Sequence, residues 1–234
     1  MADKPYSTPK RIRILGVGIH DVIESEAVDL VDHFIQEGGP HQIVTVNPEF
    51  VITAQRDPLF RETINEADLA VPDGIGIIWA GRFLGHPFRG RVTGVELTHR
   101  LARRSAERGH RVYLLGAAPG VAEETARILQ QESPELAIVG TFAGSPAEEE
   151  EDVIGARIRK AAPQILLVAY GAPRQDLWLR RNLHKLDVPV GIGVGGTFDY
   201  ISGRVPRAPA RLRQAGLEWL YRLCRQPWRW RRML

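Results

Sequence analysis

Short runs of β-branched and other apolar residues alternate along this chain with longer stretches whose apolar positions recur every three or four residues. That alternation is the signature of βα units arranged around a mostly parallel sheet. The apolar runs predict strands near 12–18, 43–47, 69–72, 111–116, 137–141, 165–170 and 190–194. The amphipathic stretches predict helices over 21–36, 48–56, 74–83, 94–108, 120–132, 147–161 and 174–184. Start signals accompany several of them, such as Pro146 ahead of the acidic run 148–152, where carboxylates suit a helix N-terminus. The runs at 111, 137, 165 and 190 are nearly continuous in apolar residues, as expected of strands covered on both faces, and are assigned to the centre of the sheet. The fold class is therefore α/β, a Rossmann-like, mostly parallel sheet flanked by helices.

In open sheets of this kind ligands gather beyond the carboxyl ends of the strands, so chemistry is sought where each strand hands over to a helix. After the second run, Thr45-Val46-Asn47-Pro48-Glu49 offers a hydroxyl, an amide and a carboxylate. Asn47 with Pro48 at the first helical position is a helix cap, which leaves Thr45 unexplained. After the third run, Pro72-Asp73-Gly74-Ile75-Gly76 places one carboxylate between a proline and two glycines that let a ligand near the backbone. Asp73 reads equally as an N-cap and as a general base, since taking a proton from a hydroxyl requires a carboxylate within hydrogen-bond reach.

Further on, Tyr170-Gly171-Ala172-Pro173-Arg174-Gln175-Asp176 combines a glycine turn, a proline and a polar trio. The glycine-dense Gly191-Ile192-Gly193-Val194-Gly195-Gly196-Thr197-Phe198-Asp199 fits a phosphate or nucleotide contact through backbone N–H groups. Arg91-Val92-Thr93-Gly94 sets a cation just before a helix, where a phosphate is favoured. There is no HExxH, DxD, CxxC or GxxxxGK[ST], so catalysis is expected without a metal or other cofactor.

Composition changes the picture at one end only. The formal net charge is +3, but residues 204–234 carry nine arginines against the single carboxylate Glu218, which is +8 and leaves −5 for the first 203 residues. Trp219, Trp228 and Trp230 share that segment. The division drawn here is an α/β catalytic domain over 1–203 and a basic, aromatic helical appendage over 204–234. The lone Cys224 rules out an intramolecular disulfide. With no spanning apolar run and no hydrophobic leader in MADKPYSTPK, a cytoplasmic protein is expected. Apolar stretches within the first 120 residues leave room for a homodimer or trimer.

Taken in order, Thr45 to Glu49, Ala67-Asp68-Leu69-Ala70-Val71-Pro72-Asp73-Gly74-Ile75-Gly76, Arg91 to Gly94, Gly171 to Gln175, Gly193 to Asp199 and Gly216-Leu217-Glu218-Trp219 resemble the WecG/TagA/CpsF family of glycosyltransferases. The resemblance runs through nearly the whole chain. It implies an inverting transfer from a UDP-sugar, typically of the N-acetylmannosamine type, to a lipid-diphosphate-linked sugar such as GlcNAc on a polyprenyl carrier. It implies Asp73 as the base, Thr45 and Asn47 in the donor pocket, and Gln175 and Arg91 on the sugar or the leaving diphosphate. Asp199, with Gly195 and Gly196, would meet the nucleoside, and Gly74 and Gly171 would bring backbone close to the ligands. The appendage would dock on the inner face of the membrane, its arginines and tryptophans suiting anionic headgroups and the interface, with Arg222, Arg229 and Arg232 reaching the diphosphates. The chain departs from the family pattern at Asp176, where glutamate is usual, and at Ala210-Arg211-Leu212, which replaces an aromatic-rich segment.

Two rival readings remain at this point. A Rossmann-type oxidoreductase accounts for the βα alternation, but the early Gly16-Val17-Gly18 is followed by Asp21 too soon for a dinucleotide fingerprint. A nucleic-acid binder would use the Arg/Trp tail and leaves Asp73, Gln175 and Asp199 without a task, so no nucleic acid is expected.

Overall fold

The computed structural model describes residues 9–209 together with Leu212 and Tyr221. The chain opens with a hairpin, β1 (Arg11–Ile14) and β2 (Val17–His20), antiparallel to each other. The sequence reading made this region one strand. The turn between them puts Leu15 and Gly16 both at positive φ (48° and 81°), as in a type I′ turn. Leucine gives no turn signal, so the apolar alternation ran unbroken across it. After α1 (Glu24–Glu37) come β3 (His41–Val46), α2 (Pro48–Arg56), α3 (Pro58–Glu66) and β4 (Leu69–Pro72). Helix α3 was not anticipated, although Asp57 caps it and Pro58 occupies its first turn.

Then follow α4 (Ile75–Phe83), α5 (Gly94–Arg108), β5 (Arg111–Gly116), α6 (Val121–Glu132), β6 (Ala137–Phe142), α7 (Glu151–Ala161), β7 (Ile165–Ala169), α8 (Arg174–Asn182), β8 (Val190–Gly193) and the short α9 (Thr197–Ile201). The six strands β3 to β8 form one sheet in the order β4-β3-β8-β7-β5-β6, every pair parallel. The chain is thus a mostly parallel, Rossmann-like α/β structure.

Strand pleating sorts the core into layers. Ile43, Leu114, Leu167 and Ile192 face the layer of α1, α5, α6 and α9. Val44 and Val46 face the hairpin, α2 and α3, and Leu115, Leu166 and Val168 face α7 and α8. The assignment of four runs to the sheet centre holds for β5, β7 and β8 and fails for β6. That strand is the outer edge, and each of its residues is only partly buried. Its apolar run is spent differently: Gly140 lies on the Tyr113 ring, where an added Cβ would meet ring carbon at 2.3 Å, and Phe142 carries the Arg157 guanidinium over its face. At the opposite edge the hairpin packs beside β4, and the outward N–H of Ala70 donates to Nδ1 of buried His20 at 2.9 Å. Burial and the Arg11 guanidinium alongside push the His20 imidazole down to about 4.

Among the described residues no helix is long and apolar enough to cross a membrane. Residues 204–209 return over the body: Val205 N–H donates to the Asp199 carbonyl, Arg207 pairs with Glu96 at 2.8 Å, and Ala208 is buried.

Candidate active site

A cavity of about 340 Å³ opens at the carboxyl ends of β3, β4, β7 and β8. Thr45 and Asn47 come from β3, Asp73 from β4, Gly171 and Gln175 from the turn after β7, and Gly195, Gly196 and Asp199 from the turn after β8. The topology therefore gathers eight of the residues singled out in the sequence onto one wall system.

Each is held by local structure. Asn47 Oδ1 accepts from Phe50 N–H at 3.2 Å, capping α2, with Pro48 in its first turn. Thr45 is buried and donates its hydroxyl to the Gly193 carbonyl at 2.9 Å, tying β3 to β8 directly under the cavity. Asp73 donates its own N–H to the Val46 carbonyl. It is not the N-cap residue of α4, which is Gly74 at φ 89°. Gly74 itself stands behind the lining, with a hypothetical Cβ 3.5 Å from Pro48.

Gln175 is fully buried, and its Oε1 accepts from both Gly171 N–H (3.1 Å) and Gly195 N–H (2.9 Å). One side chain thus staples the two glycine turns that face each other across the cavity. The turns need glycine at these places, since Gly171 and Gly195 have φ of 76° and 57°. Next to it Asp176 is also fully buried, and burial pushes its carboxyl up to about 8. Gly193 makes room for both, because a Cβ there would stand 2.4 Å from Asp176 Oδ1 and 2.7 Å from Gln175 Nε2.

Electrostatically the cavity combines carboxylates with backbone donors. Glu49, Asp73 and Asp199 line it. Helices α2, α5 and α8 begin on its walls and turn their positive N-terminal ends toward it, α5 with Thr93 accepting from Glu96 N–H. Arg207 is the cation among the described lining residues, and it is paired with Glu96. A polar ligand with an anionic portion and a reactive hydroxyl finds both halves of its chemistry here. Among the described residues no group of three or more His, Cys, Asp or Glu is placed to hold a metal ion.

Some expected residues sit elsewhere. Arg91 is not among those lining the cavity and lies, partly buried, two residues before the cap Thr93. Arg222, Arg229 and Arg232 fall outside the described residues. Tyr170, Tyr200 and Arg207 line the cavity and were not singled out in the sequence. Tyr170 was adjacent to the Gly171 turn, and Arg207 was one arginine in a run of nine, which is why neither stood out.

Fold and cavity define an α/β enzyme with a strand-end cleft suited to a polar, partly anionic substrate. The sequence model of the Glycosyl transferase WecG/TagA/CpsF family matches residues 12–234, and the chain belongs to that family of glycosyltransferases. It is 33% identical to the N-acetylglucosaminyldiphosphoundecaprenol N-acetyl-beta-D-mannosaminyltransferase of Bacillus spizizenii over 92% of this chain and 84% of that one. It is 31% identical to the protein of the same name in Bacillus subtilis, over 92% and 86%, and 30% to that in Staphylococcus aureus, over 95% and 87%. These findings favour the transferase over the oxidoreductase reading.

Proposed function

We propose that the protein transfers a sugar of the N-acetylmannosamine type from a UDP-sugar to a polyprenyl-diphosphate-linked GlcNAc, with inversion, in the synthesis of a cell-surface polysaccharide or teichoic-acid-like polymer. The observation that carries this reading is Asp73, a carboxylate on the wall of a cavity at the carboxyl ends of the strands. In the step proposed, Asp73 takes the proton of the acceptor hydroxyl as that oxygen bonds to the anomeric carbon. The bond from that carbon to UDP breaks on the opposite side, and UDP departs with the electron pair. A single displacement of this kind inverts the anomeric centre.

Charge building on the departing diphosphate is met by the helix N-termini and by arginines. Arg207 stands at the cavity for this role, and Arg91, Arg222, Arg229 and Arg232 are further candidates. Thr45 and Gln175 shape the donor pocket through the loops they fasten, and Asp199 with Gly195 and Gly196 meets the nucleoside. Residues 204–234 form the segment that docks on the inner face of the cell membrane, where the lipid acceptor resides.

UDP is expected to raise the melting temperature of the protein and NAD to leave it unchanged. Asp73→Asn is expected to keep the UDP-induced shift and to lower turnover by about 10²- to 10⁴-fold. Loss of both together would make Asp73 a structural residue and end this assignment.

A further inference from the structure

The connection from β4 to α5 is an excursion. Its two limbs are pinned at the cavity, where Val92 N–H donates to the Pro72 carbonyl at 2.8 Å, with Asp73 at one foot and Thr93 at the other. Connections of this type usually take about 2–6 residues, and this one carries the whole of α4.

That helix turns its aromatic side chains outward. Its inward positions include Gly76, where a Cβ would meet Pro48 at 2.6 Å, and Gly81, where a Cβ would meet the Phe88 ring at 2.6 Å. Ile77 anchors it in the core, but its largest side chains point away: Trp79 is 53% exposed, Phe83 is 91% exposed, and Leu84 just beyond is 47% exposed. Core formation explains the glycines and leaves the aromatics unexplained. Apart from Val153, every large apolar side chain exposed among the described residues lies in the hairpin turn, in α3, or in α4 and the residue just after it.

Charge follows the same division. Residues 74–91 contain Arg82, Arg89 and Arg91 and no carboxylate, in a stretch of 203 residues that is otherwise net acidic. Arg89 ties the returning limb to Asp21 and Glu26, while Arg82 stands exposed between Trp79 and Phe83. Outward tryptophan, phenylalanine and leucine interleaved with arginine, on a rigidly packed helix, form a surface complementary to the interface of an anionic bilayer.

We infer that α4 and the residues just after it seat this excursion in the bilayer interface, Trp79, Phe83 and Leu84 entering the headgroup and acyl boundary, so that a lipid-linked acceptor meets Asp73 at the foot of the same excursion. The inference rests on the proposed lipid-linked acceptor. It adds a membrane contact on the catalytic body itself, separate from residues 204–234.

The test uses the full chain and the double variant Trp79→Ser/Phe83→Ser, with vesicles of phosphatidylglycerol and phosphatidylcholine. Cosedimentation is expected to show about tenfold or weaker partitioning of the variant, with the UDP-induced shift in melting temperature unchanged. Turnover is expected to fall on a vesicle-embedded GlcNAc-diphosphoundecaprenol acceptor and to persist on a short-chain, water-soluble one. Equal partitioning of the two proteins overturns the inference. So does a lipid-free change from oligomer to monomer in the variant without a change in partitioning, which would make this face a contact between two copies. Shielding of Trp79 from an aqueous quencher before any vesicle is added overturns it as well, because the chain itself would then cover the helix. Absence of a UDP shift in the unmutated protein would instead strike at the proposed function, whatever the vesicles show.

Discussion

Two regions at the cavity solve opposite problems. On the wall built from the turns after β7 and β8, the fastening side chains face inward: Gln175 and Asp176 have no exposure, and the Gln175 carbonyl satisfies two backbone donors. Gly193 leaves no room for even a methyl group. On the excursion that begins at Asp73, α4 buries Ile77 and two glycines and displays Trp79 and Phe83. The first gets its shape from the Gln175 carbonyl's hydrogen bonds, enclosed in a close-packed interior. The second is held by Ile77 and by close approach of its glycines to Pro48 and Phe88, and keeps its aromatic side chains for something outside. Proximity to a site therefore does not set how a segment is built, because holding a ligand and meeting a surface make different demands on the same helix-and-turn vocabulary.

Mutations in the two regions should separate accordingly. Gly193→Ala forces a Cβ against the Asp176 carboxyl and the Gln175 amide, and is expected to cost about 2–3 kcal/mol, lowering the melting temperature by roughly 5–10 °C. Gln175→Ala strips the acceptor from the Gly171 and Gly195 amides and is expected to cost about 1–3 kcal/mol in denaturant unfolding. The UDP-induced shift should weaken with it, since both turns line the cavity. A loss of stability with a full UDP response would mean that the staple supports the fold and not the pocket.

Asp176 sharpens the contrast through pH. Its carboxyl is held up to about 8 against an unfolded value near 3.8, so between those values the folded state keeps a proton that the unfolded state has released. Stability is therefore expected to fall as pH rises through that window, with a slope approaching ~1.4 kcal/mol per unit from this one group. Asp176→Asn should flatten the slope, which unfolding at a series of pH values measures. On the excursion, Trp79→Ser/Phe83→Ser is expected to change stability by no more than about 0.5 kcal/mol, because both side chains are exposed. A large loss there would show α4 to be packed like the first wall.

Much of this architecture was legible in the chain. Strands such as β3 and β7 and helices such as α2 and α5 announce themselves because local pattern and tertiary role agree in them: Asn47 and Thr93 cap, and Leu97 and Leu101 face the core. Reading failed where a residue did something uncharacteristic of its type. Leu15 turns a corner, β6 spends its apolar run at an edge, and Asp57-Pro58 starts a helix in a stretch taken as connection. The site was legible as a set of strand ends, since topology brings any such ends together once the sheet is parallel. Its internal wiring was not, because the Gln175 staple joins N–H groups far apart in sequence, and the distinction between Arg207 at the cavity and Arg91 beyond it depends on how a loop folds back.

The edge at β4 has a consequence for assembly. Its outward amide at Ala70 is consumed by an imidazole, and the hairpin stands beside it. Burial holds that ring to about 4, so it stays uncharged through neutral pH. Among the described residues, β6 is the sheet's other edge and has no strand on its outer side. A sheet open on both sides can polymerise by strand addition, whereas one with a single accepting edge can only pair and stop.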